Sequence, residues 1–271
     1  VFVPNSNIPT QNVSQEMFGW EVPVETVPIP SEGKVYQPGT PLHNRQVLEI
    51  KAMTAQEEDI LASRALIQTG TVITHLIQSC LIDKTVDVNE MLVGDRNALM
   101  ISVRITGYGS DYEAESTCPA CGERSNQNYM LTDLGINRLQ INPVQPGANL
   151  FEFVLPVTKK AVHFRFLTGK DEEERSLAAE RMKKIMPGMQ VENLVTSRLE
   201  QTIVSIDGIT DKAQISQFVK KLPALDSRKL RAFIDKNEPG IDMSVWMKCP
   251  HCSESSQVML PIGVSFFWPE E

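Results

Sequence analysis

Cys118-Pro119-Ala120-Cys121 and Cys249-Pro250-His251-Cys252 are two copies of one short pattern, a Cys-x-x-Cys knuckle with proline behind its first cysteine. The two residues between the cysteines let both sulfurs face a single ion. Together the two knuckles supply the four thiolates of a closed tetrahedral Zn²⁺ shell. Cys121 and Cys249 stand 128 positions apart, far beyond the roughly 15–20 residues that divide the halves of a contiguous zinc ribbon. The expected site is therefore a split four-cysteine ribbon. Its ligands are Cys118, Cys121, Cys249 and Cys252, and structural Zn²⁺ clasps the middle of the chain to its end.

Other uses of these cysteines fit less well. A redox Cys-x-x-Cys works as one dithiol, and two matching copies are one too many. Disulfides leave a fifth cysteine over and need an oxidising compartment, for which no secretory signal argues. Catalytic zinc needs an open coordination position, which four thiolates do not leave. His251 could replace a cysteine, but residues inside a knuckle usually point away from the ion. Cys80 falls on an apolar helical stripe and reads as a buried, inert thiol.

The chain has 271 residues, 41% hydrophobic and 22% charged, which is ordinary for a globular protein with a real core. Its net charge of −8 and pI near 5.2 argue against nucleic acid as partner, because phosphate binding needs a basic surface. The knuckles are no exception, since Glu113, Glu115, Glu123 and Glu254 outnumber Arg124 and Lys248. No apolar run reaches the ~18 residues of a membrane span. Synthesis is expected in a reducing cytoplasm, where thiolates stay available for zinc.

Five segments follow from the patterning. Residues 1–46 read as an extended, proline-rich arm: seven of the 17 prolines fall there, excluding helix and disfavouring a central strand. Phe18, Trp20, Val22, Val24, Val27 and Ile29 give this arm apolar side chains for docking, in part on a neighbouring chain. Residues 47–112 read as helical, with one long helix from the Thr54-x-x-Glu57 capping box to about Ile82 and a second over 95–105. The first knuckle occupies 113–130. Residues 131–242 read as a hairpin, Phe151–Leu155 with Val162–Leu167, followed by helices near 171–186, 191–204, 212–222 and 226–234. The second knuckle and tail occupy 243–271. The fold class is α+β: a mainly helical body, small antiparallel hairpins and the split ribbon.

No phosphate-binding glycine loop, His-Glu-x-x-His or Gly-x-Ser-x-Gly occurs. The acidic run 171–174 is explained by helix-start electrostatics. No catalytic or cofactor-binding residue is assigned, and the chain is expected not to be an enzyme.

Several motifs stand in a recognisable order: Pro30-Ser31-Glu32-Gly33-Lys34-Val35-Tyr36, Met53-Thr54-Ala55-x-Glu57-Glu58, Gly94-Asp95-Arg96, Arg104, Gly107-Tyr108-Gly109, the two Cys-Pro-x-Cys knuckles and Phe266-Phe267-x-Pro269. In this order the chain resembles the baseplate hub assembly proteins of T-even-type contractile bacteriophages. The resemblance implies a structural or assembly component of the tail baseplate, located in the virion and assembled in the host cytoplasm. Its partners would be other baseplate or tail proteins, with copies of itself among the candidates. The competing functions are a zinc-ribbon nucleic-acid binder, which DNA binding in moderate salt would reveal, and an enzyme of unrecognised class, which a pocket of pKa-perturbed residues would reveal.

Overall fold

The computed structural model describes residues 22–185, 194–260, 262 and 266–267; Phe18 and Trp20 lie outside the described residues. The strand β1 (Val24–Pro28) pairs antiparallel with β2 (Val47–Lys51), Val24 opposite Lys51 and Pro28 opposite Val47. Proline is tolerated there because it ends a two-stranded ribbon. Between the strands the chain folds through tight turns, and Gly33 makes them possible. Its φ is +70°, and a Cβ on it would lie 2.4 Å from the Arg45 nitrogen, a position only glycine fills without strain.

For residues 24–46 the expected arm, offered partly to a neighbour, gives way to a built-in element. Val27, Ile29, Val35, Tyr36 and Leu42 belong to this chain's own core. The prolines sit at strand ends and turns, where the missing N–H leaves no ladder bond unmade.

The expected helix from 54 to 82 is three helices: α1 (Ala55–Ala62), α2 (Arg64–Thr69) and α3 (Val72–Cys80). Gly70 causes the second break. At φ +72° it caps α2 in the left-handed conformation, donating its N–H to the Ile67 carbonyl, while Thr71 donates to Leu66. At Ser63 the backbone turns extended, and nothing in the local sequence explains it. The break tilts α2 outward: none of its residues is buried, and Ile67 is exposed.

Helix α4 (Val93–Tyr108) is the axis of the fold. From Ala98 to Arg104 every residue is buried, the pattern of a helix enclosed on all sides. Gly109, at φ +85°, ends it.

The hairpin β3 (Asp111–Thr117) and β4 (Arg124–Met130) follows, then β5 (Gly135–Asn137), β6 (Phe151–Val154) and β7 (Ala161–Phe164). Next come α5 (Gly169–Ile185), α6 (Leu194–Thr202), β8 (Ile203–Ile206), α7 (Lys212–Lys221) and α8 (Ala224–Asn237), and last β9 (Gly240–Asp242), β10 (Ser244–Lys248) and β11 (Ser255–Met259). All the sheets among the described residues are small and antiparallel: β1-β2, β3-β4, β5-β9, β6-β7-β8 and β10-β11. The class is α+β.

A strand begins within the last two residues of an expected helix, 191–204. Ile203-Val204-Ser205-Ile206 pairs with β7 instead of extending α6, as β-branched residues beside a partner strand prefer. β5 and β9, three residues each, escaped notice for want of a pattern. They matter for the site, because Gly135 opposite Asp242 carries the C-terminal chain back beside the β3–β4 hairpin. A close approach fixes this return: a Cβ on Gly94 would lie 1.8 Å from the Pro239 carbonyl oxygen, so α4 and the entry to β9 touch backbone to backbone.

Candidate metal centre

Both knuckles are tips of hairpins with the same backbone. In the first, Thr117 lies opposite Arg124, the Cys118 N–H donates to the Glu123 carbonyl at 2.9 Å, and Gly122 N–H donates to the Cys118 carbonyl at 2.8 Å. In the second, Lys248 lies opposite Ser255, Cys249 donates to Glu254 at 2.9 Å, and Ser253 donates to Cys249 at 2.9 Å. The residue after each second cysteine is left-handed: Gly122 at φ +78° and Ser253 at φ +62°. Serine therefore occupies a position that favours glycine.

The four sulfurs converge. All lie within 4.8 Å of one another. Cys118 Sγ is 3.7 Å from Cys252 Sγ, and Cys121 Sγ is 3.7 Å from Cys249 Sγ. A tetrahedral ion with metal–sulfur bonds of about 2.3 Å sets its ligands about 3.8 Å apart, so these spacings fit a four-thiolate shell. They are far longer than a disulfide of about 2.05 Å. Cys118 and Cys249 are buried, while Cys121 and Cys252 face solvent. His251 is exposed and stands apart from the sulfur group.

Electrostatics pull the clustered thiols in opposite directions. Hydrogen bonds from the backbone N–H of Cys252, then of His251, hold the Cys249 thiol down to about 6. The Glu123 N–H pulls Cys121 the same way, but desolvation and the neighbouring sulfurs prevail and push it up to about 12. Four thiols so close cannot all ionise by themselves; a divalent cation would have to displace their protons.

The packing around the cluster is thin. Cys118, Met247 and Cys249, with Val258 beside them, form a small apolar group separate from the main core. Such a group buries too little to hold two hairpins together.

The remaining candidate groups are structural. Cys80 is fully buried, and burial followed by Glu57 pushes its thiol up to about 12; it is inert. The acidic run at the start of α5 makes specific contacts beyond its helix-end role. Asp171 takes a bidentate pair from Arg165 at 2.6 and 2.7 Å, Glu172 accepts from Arg96 and Glu173 from Thr74. One acid–base row went unseen in the sequence. Across the β6-β7-β8 sheet, Ser205 Oγ lies 2.9 Å from His163 Nδ1, and Glu152 lies 3.4 Å from Nε2. Cross-strand register creates this row, which linear spacing cannot show. None of the three lines either of the two main cavities.

Several residues of the motifs that carry the baseplate resemblance are joints of the fold. Asp95 binds Ser31 and Tyr36. Glu57 accepts from the Thr54 amide and hydroxyl, from Ser79 and from Lys51. Arg104, almost fully buried, donates to the carbonyls of Phe266 at 2.5 Å, Gly109 at 2.7 Å and Asp111 at 3.1 Å. It thereby ties the terminal motif to the end of α4. No helix among the described residues is long and apolar enough to cross a membrane.

No curated protein and no solved structure matches the chain. The family model described as T4 bacteriophage base plate protein matches residues 25–268, a span that takes in both knuckles and every joint just described. The chain belongs to the T4 bacteriophage base plate protein family.

Proposed function

We propose that this chain is a hub-assembly component of a contractile phage tail baseplate, acting by protein–protein binding without turnover. The family match over residues 25–268 carries this reading. Its partners are other baseplate or tail proteins, copies of itself included. Its place is the virion tail, reached by assembly in the host cytoplasm.

Within that role Cys118, Cys121, Cys249 and Cys252 hold one structural Zn²⁺. Four thiolates at tetrahedral spacing suit zinc and leave no coordination position open for chemistry. The ion supplies rigidity: it fixes the β3–β4 and β10–β11 hairpins to each other, where their apolar group alone is too small. The acidic balance of −8 supports proteins over nucleic acid as partners.

A phage lacking this chain tests the proposal. Tail-less or baseplate-defective intermediates should accumulate while DNA replication continues, and complementation should restore tails. Normal tails accompanied by failed DNA or cell-wall processing would overturn it.

A further inference from the structure

Outside the metal centre, a groove runs between three segments of the body. Its floor is apolar: Val35, Leu42, Val86 and Leu92 are all buried beneath it. Its rim carries two exposed carboxylates, Asp87 and Glu90, and its lining includes no Lys, Arg or His.

The walls are held in place by bonds that do not depend on an occupant. Tyr36 OH donates to Asp95 at 2.5 Å and accepts from the Leu92 N–H at 2.9 Å. The opposite wall is fixed by Asn149, whose side chain accepts from the Phe166 N–H at 3.0 Å and donates to its carbonyl at 2.8 Å. Gly147, at φ +78°, brings that wall so close that a Cβ would lie 2.8 Å from Pro38. The groove is therefore preformed, which lowers the entropy lost on binding.

The rim charge is unspent. Asp87 uses one oxygen to cap a short turn, accepting from the Asn89 N–H at 2.9 Å. Glu90 has no ion-pair partner among the described residues. The nearby cations are engaged elsewhere: Arg45 with Asp83, and Lys84 with the carbonyls of Gln78 and Ser79.

We infer that this groove binds a segment of another tail protein in which an apolar side chain stands one or two residues from Lys or Arg. The apolar side chain enters over Val35, Leu42 and Val86, and the cation meets Asp87 and Glu90. Charge complementarity selects this occupant over the alternatives. A second copy carries a net charge of −8, and this chain's own residues 1–21 contain two glutamates and no Lys or Arg. The inference rests on the binding role proposed above and names one surface through which it acts.

The test is amide NMR on the full, zinc-loaded chain with two capped probes, Ac-Gly-Leu-Lys-Leu-Lys-Gly-NH2 and its Glu-for-Lys counterpart. The basic probe should shift the amides of Val35, Leu42, Val86 and Leu92 saturably, and the acidic probe should bind at least tenfold more weakly. The double variant Asp87→Asn/Glu90→Gln should keep its spectrum and lose about fivefold in affinity, the effect of two exposed ion pairs. Equal binding of both probes, shifts confined to other surfaces, or no saturation at millimolar peptide would overturn the inference. Groove signals that move with protein concentration alone would assign the groove to a second copy and overturn it too. Any of these failures would leave tail assembly in the complemented phage as it was, so the groove and the baseplate role fail separately.

Discussion

Asp95, fully enclosed at the start of α4, accepts two hydrogen bonds from Ser31: from its N–H at 2.9 Å and from its hydroxyl at 2.6 Å, across 64 positions of sequence. With Tyr36 OH as a third donor, this carboxylate holds the 29–46 turns against the central helix. Asp95→Ala leaves three buried donors without an acceptor and should lower stability by about 3 kcal/mol, read from the denaturation midpoint. Burial raises the Asp95 pKa. Its contribution is therefore full below the ordinary carboxylate range and falls as pH rises through the raised value. Asp95→Asn should remove that loss and flatten the stability profile there.

Glu57 behaves in the opposite sense. Burial alone would raise its pKa, but bonds from Lys51, Ser79 and Thr54 outweigh it and hold the carboxyl down to about 2 from an ordinary 4.5. Stability from this network is present above pH 4.5 and is lost as pH falls toward 2. Because the Lys51 side is partly open to water, the effect is discounted to about 2 kcal/mol. Glu57→Gln should show that loss already at neutral pH and a shallower acid limb in a pH series of unfolding curves.

The matching knuckle turns give a local test. Gly122→Val places a β-branched residue at φ +78°, where open space surrounds the Cβ, so the penalty is conformational and about 1–2 kcal/mol. Ser253→Gly relieves the equivalent position and should leave stability unchanged or raise it by up to ~1 kcal/mol. Thermal unfolding of the two metal-loaded variants would show whether the signs differ.

Truncation separates the expected arm into two parts. Removing residues 1–21 should leave a folded, metal-binding body that enters assemblies poorly if Trp20 docks on a neighbour. Removal through residue 46 takes away Val27, Ile29, Val35, Tyr36 and Leu42 and should prevent folding. Circular dichroism and incorporation into tails would distinguish the outcomes. Normal incorporation of the shorter truncation would end the docking role.

The four-cysteine cluster was legible in the sequence because each half is local: a Cys-Pro-x-Cys tip with strand-like flanks repeats almost unchanged at 118–121 and 249–252. Convergence of the halves depends on β5, β9 and the Gly94 contact, none of which has a pattern long enough to read. The Thr54-x-x-Glu57 box announced the start of α1, but the same glutamate's bonds to Ser79 and Lys51 are tertiary and left no trace in spacing. Helical periodicity ran on through Ser63 and Gly70, since apolar rows record which residues face a core and not whether the axis is continuous. Proline density excluded helix over residues 24–46 correctly. It said nothing of burial, because turns with proline can carry core residues as readily as an arm can.

The metal clasp is tested most directly by elemental analysis combined with native mass spectrometry of the purified chain. One zinc per chain is expected, lost in Cys249→Ser together with exposure of the Met247 and Val258 surface to a hydrophobic dye. Structural zinc contributes on the order of 10–16 kcal/mol in small peptides, so the variant should aggregate where the parent stays soluble. A chain free of metal after purification under reducing conditions, with unchanged stability in Cys249→Ser, would contradict the clasp.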